Sequence, residues 1–146
     1  MRWLTSLFQS IVFQTVIAGV FVFVFKELID EYILSPIKKF NGVVGRIDNR
    51  LKYYANVITN SGISASSIVE SYKVMRELSC ELESIYKQIS FRQILSLLRF
   101  IPAHKLVSES AGKLIAISNA GGQAGNEVMN GEMIKDIRKN LNIIEI

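Results

Sequence analysis

Cysteine and histidine each occur once in the 146 residues, as Cys80 and His104, and proline occurs only twice, at positions 36 and 102. A single cysteine excludes an internal disulfide framework and suits a reducing compartment. One cysteine and one histidine, far apart in sequence, cannot close a zinc site. No Glu-x-x-His pair offers a carboxylate-bridged metal site on facing helices. A Ser-His-Asp or Cys-His nucleophile would have to use His104, whose neighbours spell no such motif. Residues 119–126, Asn-Ala-Gly-Gly-Gln-Ala-Gly-Asn, follow no strand and lead into no Lys-Ser/Thr, so they are not a phosphate loop. We read them as a mobile connection, with a ligand-facing loop as the alternative. No metal and no cofactor is therefore expected. Alternating strand patterns with hairpin turns are also missing, which leaves an all-α chain.

Charge is sparse. Lys and Arg number 17 and Asp and Glu 13, for a formal net charge of +4. Arg2 and Lys26 flank the first apolar run. The remainder carries fifteen basic and thirteen acidic side chains, too even a balance for a nucleic-acid face.

What the chain does have is an uncharged stretch at residues 7–25, LFQSIVFQTVIAGVFVFVF. Nineteen helical residues span roughly 28 Å, close to the hydrocarbon thickness of a bilayer. A cleavable signal peptide would have a shorter apolar core, a more basic start and small residues at a cleavage site. Here the run passes straight into Lys26-Glu27-Leu28, so we expect an uncleaved transmembrane anchor. Lys26, Lys38 and Lys39 follow the span, Arg46 lies just beyond, and only Arg2 precedes it. That asymmetry puts the N-terminus outside and the rest in the cytoplasm, with Trp3 at the outer interface.

Within the anchor, Ser10, Gln14 and Ala18 recur every fourth residue, with Thr15 and Gly19 on the adjoining row. In lipid, small residues and side-chain hydrogen bonds join helices, and an unpaired amide near mid-span is costly. This row reads as a self-association face, as the wall of a pore, or as a span that tolerates one Gln. Phe8, Phe13, Phe21, Phe23 and Phe25 lie mostly off it and suit lipid.

After the span we expect the helix to continue to Leu34. Ser35-Pro36 should then kink or briefly break it, with Ser35 as N-cap and Pro36 at N1. A new helix should run to about Thr59 on the seam Ile37, Phe40, Val44, Ile47, Leu51, Tyr54 and Ile58, either as a bundle core or as a coiled-coil contact between protomers. Thr59-Asn60-Ser61-Gly62 reads as a turn. A partner helix should begin near Ser64 to Ser67, with Ser67 and Glu70 as a capping box. Its seam is Ile68, Tyr72, Met75, Leu78 or Ser79, Leu82, Ile85 and Ile89. The two should form an antiparallel hairpin.

Ser90 and Gln93 suggest another capping box, opening a short helix through Phe100 that is apolar nearly all round. We expect it to be buried, the alternative being a second contact with the membrane. Pro102 should end it and open a helix over residues 103–118, with Leu106, Val107, Ala111, Leu114 and Ile115 inward. A last helix, about residues 127–141, should bury Met133 or Ile134, Ile137 and Leu141. The apolar tail Ile143-Ile144-Glu145-Ile146 should dock on the bundle or on a neighbour.

One motif remains, Arg99-Phe-Ile-Pro-Ala-His104, an Arg-x4-His spacing. With this motif and layout, the chain resembles small, membrane-anchored effectors of bacterial CRISPR and other phage-defence systems. In these one N-terminal span precedes a HEPN-like helical bundle, in some cases assembled into rings. The likeness covers the whole chain as architecture, and Arg99 and His104 as motif. It implies that Arg99 and His104 would polarise a phosphate and transfer a proton as a 2′-hydroxyl attacks, with two protomers face to face. The alternative is that they flank a structural turn. With Arg92 and Lys105 they would then make a mildly basic patch for phosphate, anionic headgroups or an acidic partner.

The expected architecture is thus an anchor with a juxtamembrane helix over residues 1–34 and a four- to five-helix cytoplasmic bundle over residues 35–146. The first functional reading is non-enzymatic: a homo-oligomeric effector that perturbs or permeates the bilayer in phage defence. The alternatives are a membrane-tethered ribonuclease, with a nucleic acid or nucleotide as ligand, and an adaptor for a cytoplasmic protein partner.

Overall fold

The computed structural model describes residues 11–59, 65–120 and 127–143, which are helical in every element with no strand among them. Helix α1, Ile11–Ile29, passes through a π-helical turn, Asp30–Leu34, into α2, Ser35–Tyr53. The three form one continuous apolar-to-amphipathic helix, Ile11–Tyr53, of 43 residues. That is roughly 65 Å at 1.5 Å per residue.

Of the kink or short break expected at Ser35-Pro36, the break does not occur; the irregularity there is the π turn. Ser35 is helical (φ −61°, ψ −49°) and its N–H donates to the carbonyl of Asp30, five residues back. It is therefore not an N-cap. The physical reason is the wide turn before Pro36. Proline lacks an N–H, and its ring presses on the carbonyl four residues back. A π turn inserts one residue and opens the helix locally, so the chain passes proline without stopping. The 34/35 division lies at this turn, and the helix crosses it.

No residue of α1 is buried. The core begins where α1 ends, with Ile33 and Ile37 at its edge and Phe40, Val43, Ile47 and Leu51 of α2 inside. The expected seam holds at Phe40, Ile47, Leu51, Tyr54 and Ile58. Val44 is only half-buried, because Val43 takes the inner position. A globular core demands a wider stripe than a heptad seam. The helix also ends sooner than expected. Tyr54 leaves helical geometry (φ −94°, ψ 10°) and a separate turn of helix, α3, covers Ala55–Thr59.

Helix α4, Ala65–Gln88, runs antiparallel to α2. Three contacts fix the direction: Phe40 with Tyr86, ring centroids 5.7 Å apart, Arg46 with Glu81, and Tyr54 Oη donating to Glu70 Oε1 at 3.2 Å. Leu78 and Ser79 are both buried, because α4 is covered on two sides. The Ser67–Glu70 capping box is corrected: the helix already starts at Ala65, and the Glu70 carboxylate serves Tyr54 instead.

Helix α6, His104–Asn119, lies antiparallel along the other side of α4. Tyr86 Oη donates to the Pro102 carbonyl at 3.0 Å, Ser79 Oγ to that of Ala111 at 2.8 Å, and Arg76 to Asn119 Oδ1 at 2.7 Å. Val107, Ala111, Leu114 and Ile117 are buried. Ile115, expected inward, is 39% exposed, since it stands one residue off the stripe that Leu114 and Ile117 define. Helix α7, Glu127–Asn140, closes the bundle with Ile137 and, just beyond it, Leu141 buried. Asn130 Nδ2 donates to the Ile58 carbonyl at 2.9 Å. Ile143 packs on the core. The turn expected over Thr59-Asn60-Ser61-Gly62 meets the described residues only at Thr59, which ends α3; the rest of it, the rest of the expected tail and residues 121–126 lie outside the described residues.

The connection from α4 to α6 holds the largest departure. Helix α5, Arg92–Leu97, was expected to be buried, yet within it only Leu95 is. Ile101 follows it inward, while Phe91, Ile94, Leu97, Leu98 and Phe100 are exposed. The Ser90–Gln93 capping box is also absent. Phe91 holds the N-cap position in left-handed geometry (φ 56°) without a side-chain cap. A helix of under two turns laid across a bundle's end can plug it with one face and must leave the other outside.

Candidate functional site

Two places draw together the residues singled out by sequence. The first is the outer face of α1. Gln14, Thr15, Ala18 and Gly19 fall on one side of the helix and all are exposed. Thr15 Oγ1 donates to the Ile11 carbonyl at 2.8 Å, so its hydroxyl is satisfied within its own helix. A Cβ built on Gly19 would meet nothing within 4 Å, so nothing among the described residues requires glycine there. Ser10 lies outside the described residues.

The second place is the end of the bundle from which α1 emerges. The antiparallel runs of α2, α4 and α6 bring the last turn of α4, all of α5 and the start of α6 level with the first turns of α2. Tyr86 is the hub. Its ring meets Phe40 edge-on and lies 5.7 Å from the imidazole of His104 at an interplanar angle of 49°. Burial pushes the Tyr86 phenol above its ordinary pKa, and the positive charge of Arg92 pulls the other way. The hydroxyl stays protonated and holds Pro102.

His104 is the first residue of α6 and is exposed. The open groove beside it is walled by Tyr86, Arg92, Gln93 and Ser96. Arg92 Nη1 also donates to the Lys87 carbonyl at 3.3 Å. Arg99 follows α5 in left-handed geometry (φ 62°) and is not among the walls of this groove. Within one chain, then, His104 shares its surroundings with Arg92 rather than Arg99. A guanidinium, an imidazole, an amide and a hydroxyl on one open surface can hold an anion such as a phosphate. Among the described residues no three His, Cys, Asp or Glu side chains gather as a metal site. Tyr86 escaped sequence reasoning, because the helical period assigns the inward place to its neighbour Ile85 as readily.

The chain matches no protein-family model, no curated protein and no solved structure.

Proposed function

We propose that the chain is a single-span bacterial inner-membrane protein whose bundle lies in the cytoplasm and whose anchors associate. It acts by disturbing or permeating the bilayer, in phage defence. The observation that carries this reading is the long helix. None of its first nineteen described residues is buried, while its later part supplies Phe40, Val43, Ile47 and Leu51 to the core. An apolar helix without a buried residue needs lipid or other copies around it. Because α1 enters the bundle without a flexible linker, a tilt or rotation of the bundle is passed to the span. The row Ser10, Gln14, Thr15, Ala18 and Gly19 is the face on which copies meet. The orientation rests on Lys26, Lys38 and Lys39, and the defence context on the resemblance in layout.

The test is the mass of the detergent-solubilised full-length protein, followed by dye release from vesicles. A closed ring of several copies, with release weakened in Gln14→Leu, supports the reading. A monomer overturns both self-association and the pore. The ribonuclease alternative needs Arg99 and His104 on one phosphate. It gains ground only if RNA cleavage is found and is lost in His104→Ala with folding intact. The adaptor alternative predicts a monomer or dimer that co-purifies with a cytoplasmic protein.

A further inference from the structure

The exposed apolar side chains around α5 call for a physical account. Phe91, Ile94, Leu97, Leu98 and Phe100 stand outside the core, Leu97 being 82% exposed, within ten consecutive residues. Clusters of this kind on a small domain mark a contact surface. Two large residues in left-handed geometry, Phe91 and Arg99, bracket the segment. Such a conformation costs a non-glycine residue about 1 kcal/mol or more. The chain bears that cost twice in holding these side chains outward.

Position says what they meet. Ile89 and Ile101 are both buried in the end layer of the bundle with Phe40 and Tyr86 nearby, so the chain between them closes the end from which α1 leaves. Ser35 lies about 15 Å along the helix axis from Phe25, the last residue of the uncharged run. A headgroup layer occupies roughly half of that distance, and a span usually tilts by about 20°, which lowers one side of the bundle.

Charge points the same way. Residues 84–108 include no Asp or Glu, while Lys87, Arg92, Arg99 and Lys105 all fall among them. Lys38 and Lys39, both exposed, stand on the first turns of α2 at the same end. The acids that bound this stretch are both paired, Glu83 with Lys87 at 3.3 Å and Glu109 with Lys113 at 2.8 Å, and on the anchor side Asp30 is paired with Lys26 at 3.1 Å. Apolar side chains beside a basic rim are the composition of an interfacial membrane contact.

We propose that α5 and its flanks form a second membrane contact, in which Phe91, Ile94, Leu97, Leu98 and Phe100 enter the interface of an anionic bilayer and Arg92 and Arg99 hold its phosphates. The proposal rests on the anchor reading above. It adds to that reading a docked bundle whose end layer can sense or deform the leaflet. Docking and release of α5 would change the angle at which α1 enters the bilayer.

The test uses the full-length protein in vesicles of phosphatidylcholine and phosphatidylglycerol containing brominated lipids. Trp3 is the only tryptophan, so Trp3→Phe is the silent background. On it, Val16→Trp reports the span and Leu97→Trp reports α5. Both sites are exposed, and circular dichroism checks that helicity is retained. The expected result is quenching of V16W by bromines deep in the acyl chains and of L97W by bromines near the headgroups. Adding Arg92→Glu to L97W should shift the docked-to-undocked ratio by about fivefold toward undocked, as should removal of phosphatidylglycerol. Quenching of V16W with none of L97W would overturn the second contact and leave the anchor standing. A blue-shifted L97W that no bromine quenches would mean that protein covers α5, and would overturn the lipid assignment. An unquenched V16W would overturn the anchor and this inference with it. Quenching of L97W indifferent to both charge changes would overturn the role of the arginines.

Discussion

Arg138 Nε stands 3.1 Å from Asp48 Oδ1, with both side chains less than one-fifth exposed. The pair joins the last helix, α7, to α2, which continues the long apolar helix. Its two atoms meet at ion-pair distance without the alignment of a hydrogen bond, so its worth is mainly Coulombic. Asp48 also takes Lys52 Nζ at 2.6 Å. Removing Arg138 would leave a largely buried carboxylate with only the exposed Lys52. Arg138→Met should therefore cost about 2 kcal/mol, read as a lower urea midpoint in detergent. Asp48→Asn with Arg138→Met should recover part of it.

A second network makes stability depend on pH. Lys113 bonds to Asp136 Oδ2 at 2.6 Å and to Glu109 Oε1 at 2.8 Å. These bonds, Asp136 first, raise the Lys113 pKa, and the ammonium in turn lowers those of Asp136 and Glu109. Depressed carboxylates contribute stability above their ordinary values, near 3.8 and 4.5, and lose it as pH falls through their lower folded values. The raised lysine keeps its contribution until pH climbs past its ordinary 10.5 toward the folded value. Stability should be level between these limits and decline below about pH 4. The carboxylates are well solvated, so the effect is small. Lys113→Met should flatten the acid limb of a plot of urea midpoint against pH.

Ala111 is wholly buried, and its carbonyl receives the hydroxyl of Ser79 across the α4–α6 contact. A larger side chain has nowhere to go, because α4 approaches at that residue. Ala111→Leu should destabilise by about 1–3 kcal/mol. Ser79→Ala should cost about 1 kcal/mol. Thermal melts followed by circular dichroism would rank the two.

Gly19 has open space around the position of a Cβ. Gly19→Leu should leave the single chain's helicity unchanged or slightly higher, since glycine is the poorer helix former by about 1 kcal/mol. If copies pack on this face, the same change should break the oligomer. An unaltered mass distribution in Gly19→Leu would place self-association elsewhere on the chain.

Arg99 at φ 62° is a site where glycine is the easier residue. Arg99→Gly should stabilise the fold by about 1 kcal/mol in the absence of membrane. Any RNA cleavage or vesicle binding lost in this variant would then be a loss of the guanidinium and not of the fold.

The sequence by itself determined the helical class, the one helix among the described residues that is apolar and long enough to cross a membrane, and most of the inward residues of α2, α4 and α6. These follow from composition and from the 3.6-residue period, which act within a few turns of the chain. Tertiary structure decided the rest. At Pro36, where a kink or short break was expected, the helix continues through a π turn, and Ile33 and Ile37 on either side both pack against the core. Val43 displaced Val44, and Ile117 displaced Ile115, because the width of a buried stripe is set by how many neighbours flank it. The exposure of Phe91, Leu97 and Phe100 was not legible either: an all-round apolar segment reads alike whether a core or a surface receives it. That Arg92 stands beside His104, and Asp48 beside Arg138, depends on how three antiparallel helices register against one another. Register is a property of packed side chains from distant segments, and no local pattern encodes it.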